Sequence, residues 1–69
     1  MSNHLIGGMS LDGMDAEQLE AIMLMAGAAE AGFDGLAMSV HANQCMVLRN
    51  RAREAYSALI EAEVMEMSA

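Results

Sequence analysis

An apolar stripe with a seven-residue period constrains this chain more than any other feature. Met38, Cys45, Ala52 and Leu59 recur every seven residues, and His41, Leu48, Ala55 and Ala62 follow each of them by three. On an α-helix this a/d spacing gathers side chains onto one face, and that face has to meet another helix to leave water. Only His41 interrupts it. Asn43, Asn50 and Ser57, again seven apart, mark the solvated back of the same helix. A second strip, Tyr56, Ile60, Val64 and Met67, runs beside the seam over the last third, wider than one neighbour can cover. The pattern predicts one long helix over 34–66 that needs more than one packing partner.

The preceding stretch supplies the first partner. Asp15 followed by Gln18 spells a capping box, with Met14 and Leu19 as the flanking hydrophobic staple, so a helix is expected over 15–31. Its residues from Leu19 to Ala29 are apolar nearly all round, which predicts burial on several sides. Gly32 suits the left-handed position that ends a helix, with Phe33 after it and Asp34 as the cap of the next helix. Helices joined so closely fold back as an antiparallel hairpin. Residues 1–14 are expected to form an arm without an element of its own, and Leu5, Ile6, Met9 and Leu11 are apolar enough to dock it on a helix or on a neighbour.

Relative length then sets the architecture. A first helix of ~24 Å reaches only partway along a second of ~48 Å, to about residue 50. Ala52, Ala55, Tyr56, Leu59, Ile60 and Val64 are left on an overhang larger than a soluble monomer exposes. The expectation is an all-α antiparallel hairpin in a single domain, short helix first and long helix second, assembled as a homodimer through Leu48, Ala52, Ala55, Leu59, Ile60 and Ala62. A domain of 69 residues has a marginal core on its own, which also favours assembly.

Charge narrows the partners. Ten acids against three arginines give a formal net charge of −7, which opposes direct binding to nucleic acid or anionic lipid and favours a basic protein. The longest uncharged apolar run falls well short of a membrane span, no basic leader is read at the N-terminus, and a soluble cytoplasmic protein is expected. One cysteine excludes an intrachain disulfide and the usual zinc spacings.

Three groups could carry chemistry or binding. His41 and Cys45 lie one helical turn apart, a spacing compatible with a metal pair or an activated thiol, yet two ligands with no third and no oxyanion donors fit packing better. No catalytic residue, cofactor or metal is assigned. Arg49, Arg51 and Arg53 crowd one stretch of helix, where only Arg51 has a partner on its own helix, Glu54 three residues on; Glu20, Glu30 or acids near Glu61 and Glu63 of a second subunit would pair with the arginines structurally, whereas a binding role would use Arg49 or Arg53 as an anchor. Nine methionines exceed what a small core can absorb, so some should line an adaptable surface together with Tyr56. The candidate partner-binding set is Glu17, Glu20, Met23, Arg49, Arg53, Tyr56, Glu61 and Glu63.

A short, strongly acidic, helical, cysteine-poor chain without catalytic residues resembles the small proteins with which phages seize host machinery. By size and expected dimeric build it is most similar to phage-encoded quorum-sensing anti-activators. That resemblance implies a protein that enters the host cytoplasm, binds the DNA-binding domain of a LuxR-type transcription regulator and blocks its promoter contact. DNA-mimicking anti-CRISPR proteins share the profile. An adaptor or chaperone binding apolar helices is the alternative drawn from the residues themselves.

Overall fold

The computed structural model describes residues 6–68, with backbone alone for Ile6 and Ser68. Helix α1 spans Ala16–Gly35 and α2 spans Ser39–Ser68, preceded by a 3-10 turn at Ile6–Gly8. No strand occurs among the described residues. The expected all-α hairpin of a shorter helix packed on a longer one is present, and the arm carries an element after all. Leu5 lies outside the described residues.

The start of α1 follows its local chemistry. The Asp15 carboxylate accepts from the Gln18 N–H at 2.8 Å, and the Gln18 side chain accepts from the Asp15 N–H at 3.0 Å. Both bonds satisfy donors that the first helical turn leaves orphaned, typically worth about 1 kcal/mol for the cap.

The end of α1 departs from the expected stop. The helix runs through Gly32 and closes at Ala37, which takes φ of 61°. Met38 N–H donates to the Phe33 carbonyl at 2.8 Å and Ala37 N–H to that of Asp34 at 3.0 Å, a complete Schellman pattern five residues later than Gly32 proposed. Asp34 therefore sits in the last turn of α1 and does not cap α2. Keeping Phe33 helical places its ring 5.2 Å from that of His41 across the hairpin. A left-handed alanine costs about 1 kcal/mol, so the tertiary contact outweighs the local preference for glycine.

That extension changes what α1 covers. At 20 and 30 residues the helices are ~30 and ~45 Å long, and cross-links between Glu30 and Arg49 and between Glu20 and Tyr56 show the antiparallel register. Cover reaches about residue 60: Ala55, Tyr56, Leu59 and Ile60 are half-buried, and residues 61–67 are exposed. The overhang is one end of the helix, not its second half.

The core is thin and made largely of small residues. Leu19, Ala26, Ala42, Cys45, Leu48 and Ala52 are buried. Ala42 rather than His41 continues the seam toward the turn, as a straight helix drifts from a strict seven-residue repeat. The molecule is elongated, with extents of 49 × 26 × 14 Å and a radius of gyration of 13.9 Å against about 11 Å for a compact chain of this length.

Candidate interaction surface

The three arginines are divided between inside and outside. Arg49 forms an ion pair with Glu30, both side chains about 30% exposed, so it ties α2 to α1. Its Nε is buried without a hydrogen-bond partner among the described residues. Arg51 does not reach Glu54 on its own helix; it donates to the carbonyls of Gly7 at 2.6 Å and Met9 at 2.9 Å. Arg53 is exposed and makes no ion pair or hydrogen bond among the described residues. Of the two arginines proposed as anchors, Arg53 is available and Arg49 is engaged within the chain.

Arg51 works with Gln44 to seat the arm. The Gln44 Oε1 accepts from the Gly7 N–H at 2.9 Å, so residues at i and i+7 of α2 grip the arm's backbone from one side. Gly7 is buried, and a Cβ there would lie 2.7 Å from Gln44 Oε1 and 3.2 Å from a Val47 methyl. Glycine is what lets the arm lie this close. Of the arm's apolar side chains, Leu11 is half-buried and Met9 is 40% exposed, while the Ile6 side chain lies outside the described residues; the gripping role of Gln44 and Arg51 carried no sequence signal.

With the arm in place, Met9, Ile22, Met25, Ala26, Ala29, Cys45 and Leu48 line an apolar cleft of about 180 Å³. A shallower hollow of about 430 Å³ lies on the other flank of α1 against Glu20, Met23 and Leu24. Neither brings together the donors of an active site. Cys45 is 1% exposed and His41 is exposed against Phe33, with no hydrogen bond between the two. Among the described residues no group of three or more His, Cys, Asp or Glu could hold a metal ion, and no helix is long and apolar enough to cross a membrane.

The remaining candidates separate in the same way. Glu17, Glu20, Glu61 and Glu63 are exposed; Met23 and Tyr56 are half-buried. Tyr56 donates to Glu20 at 3.1 Å, and this bond, with the negative charges of Glu20 and Glu63 and partial burial, raises its hydroxyl pKa above 10.0. Of the residues proposed for a dimer seam, Leu48 and Ala52 are 4% and 0% exposed inside the single hairpin, and so cannot meet a second copy there. The longer α1 has claimed them. Ala55, Leu59 and Ile60 are half claimed, and Ala62 is free.

Sequence reasoning missed a second set of exposed apolar side chains. Leu24 on the outside of α1, Met25 at the rim of the cleft, and Leu36 and Val40 at the turn are 76%, 64%, 71% and 70% exposed. A helix apolar nearly all round is usually buried on several sides, so the sequence does not single out Leu24 and Met25 as exposed. No family model matches the chain, and no curated protein or solved structure matches it either.

Proposed function

We propose that this chain is a non-enzymatic interaction module that binds a basic surface of another protein. In line with the resemblance to phage anti-activators, the DNA-binding domain of a LuxR-type regulator is the kind of partner it would occlude. The observation carrying this reading is the segregation of charge: nine of ten acidic residues are exposed, while Arg49 and Arg51 are consumed by contacts within the chain. The accessible surface is therefore more one-sidedly acidic than the net charge implies. Such a surface speeds encounter with a cationic partner and repels nucleic acid.

A second reading, an adaptor or chaperone for apolar helices, is favoured by the exposure of Leu24, Leu36, Val40, Met65 and Met67. Titrating the protein against a basic DNA-binding domain over a range of salt separates the two. The first reading expects affinity to fall as salt rises and association to slow about tenfold when Glu17, Glu20, Glu61 and Glu63 are changed together to lysine. Binding indifferent to both would leave the adaptor reading. In either case a homodimer is proposed as the working form.

A further inference from the structure

Two side chains of α2 make every hydrogen bond that joins the arm to the helices among the described residues. Arg51 Nη1 donates to the carbonyls of Gly7 and Met9, and Gln44 Oε1 accepts from the Gly7 N–H. The turn at Ile6–Gly8 packs on α2 and not on α1. Beyond it, the hydrogen bonds of residues 10–14 stay within that segment: Asp12 N–H donates to Ser10 Oγ and Met14 N–H to the Leu11 carbonyl, both at 3.4 Å. Ser10, Asp12 and Gly13 are exposed, and Gly13 takes φ of 80°, a left-handed bend that glycine adopts without strain. The arm is thus gripped at one end and loosely held at the bend that leads into α1.

The grip holds main chain and adds little burial. Gly8 is exposed, Met9 is 40% exposed and Leu11 is half-buried, so water can replace each bond as the arm lifts and the net worth of each is small. Segments with few buried apolar contacts and water-accessible hydrogen bonds open while the rest of a fold stays closed. We infer that the arm is a releasable clasp, shut by Arg51 and Gln44 on Gly7, whose opening uncovers the cleft down to Cys45. This goes beyond the proposed function and does not depend on the partner being basic.

Release changes two things at once. Met9 is the arm's contribution to the cleft wall, and Cys45 and Leu48, 1% and 4% exposed, lie on the helical side of the same cleft. Lifting Met9 away opens that side to solvent. The same motion frees the Arg51 guanidinium from the two carbonyls it holds. Closed, the middle of α2 shows one arginine without an ion pair or hydrogen bond among the described residues, Arg53. Open, it adds a second at the edge of an apolar cleft, so the two forms offer a partner different surfaces. The glycines set how tightly the clasp shuts. A Cβ on Gly7 would lie 2.7 Å from Gln44 Oε1, 3.2 Å from a Val47 methyl and 3.4 Å from the Gln44 carbonyl, whereas one on Gly8 meets nothing within 4 Å.

Cys45, the chain's one thiol, reports the opening. Its rate of alkylation by N-ethylmaleimide, a small neutral reagent, is followed by mass spectrometry in wild type, Arg51→Met, Gly7→Ala and Gly8→Ala, with circular dichroism on each. Arg51→Met keeps an apolar stem and removes both donated bonds. Expected are alkylation about tenfold faster in Arg51→Met and Gly7→Ala, a wild-type rate in Gly8→Ala, and an unchanged helical signal in all. In wild type the rate should vary little with urea below the unfolding transition, because lifting the arm exposes little surface. If Arg51→Met loses helix, the two glycine variants decide by themselves. Wild-type rates in both Arg51→Met and Gly7→Ala overturn the clasp, as does a Gly8→Ala rate equal to that of Gly7→Ala. A wild-type rate that rises with urea as steeply as global unfolding also overturns it, since Cys45 would then be reached only when the helices part.

Discussion

The inside of the hairpin and the outside of α1 are built from the same kinds of residue and meet opposite fates. Inside, Ala26, Ala42, Cys45 and Ala52 are sealed at 0–7% exposure, and Leu19 and Leu48 are the large residues that accompany them. Outside, Leu24 stands 76% exposed, and Met25 at the rim of the cleft and Leu36 and Val40 at the turn stand 64–71% exposed. Folding one copy buries the small residues and leaves many large ones in water. Small residues let two backbones approach closely, but they remove little apolar area per residue. The hairpin thus obtains a defined register at the cost of a weak hydrophobic contribution, and the unburied side chains remain for association.

The contrast can be broken most directly with leucines. Leu48→Ala removes a buried side chain from a thin core and should destabilise the chain by about 2–5 kcal/mol, enough to unfold it in a marginal domain. Leu24→Ala should change the stability of a dilute, monomeric sample by no more than about 0.5 kcal/mol. Urea titrations followed by circular dichroism compare the two, and equal costs would mean that α1's outer face is buried in the unit that unfolds.

Ala52→Leu probes the same boundary from the small side. At 0% exposure the added atoms have no room, and about 1–3 kcal/mol should be lost to overpacking. At the exposed Ala28 or Ala31 the same change should have little effect on a single copy. A neutral Ala52→Leu would show that the helices are free to separate.

A smaller effect of opposite sign is expected at the turn. Ala37→Gly relieves a left-handed alanine and should raise stability by about 1 kcal/mol, less the entropy that glycine adds to the unfolded chain. A loss instead would show that the turn is not held in the left-handed form.

The smallest effect concerns Tyr56, at the border between covered and uncovered α2. Its pKa is raised in the folded chain, so the protonated hydroxyl contributes stability that is complete below about pH 10 and disappears as pH rises through the raised value. Tyr56→Phe should remove this alkaline dependence, and Glu20→Gln should bring the tyrosinate absorbance transition to lower pH. This is the chain's one tyrosine, which makes the signal unambiguous.

The start of α1 could be read from Asp15 and Gln18 because a capping box depends on residues three apart and on nothing else in the molecule. The heptad stripe on α2 was legible for a similar reason: periodicity alone decides which side chains share a face, and Cys45, Leu48 and Ala52 are buried on the face it marked. The end of α1 was not legible at Gly32. There a local preference competed with the contact of Phe33 and His41, which are eight residues apart in sequence and come together only after the chain turns back. Those extra residues at the end of one helix shifted the register of the pair, drew Leu48 and Ala52 into the monomer and shortened the overhang.

Arg51 marks the same division. Sequence spacing offered it Glu54, yet the arm's carbonyls come within its reach only in the folded chain. By itself, then, the sequence determined helices, their starting cap, their shared face and an acidic surface, all consequences of short-range spacing and composition. Tertiary structure alone decided how far one helix covers the other, and hence which apolar residues were left for a partner, because that depends on contacts between residues far apart along the chain.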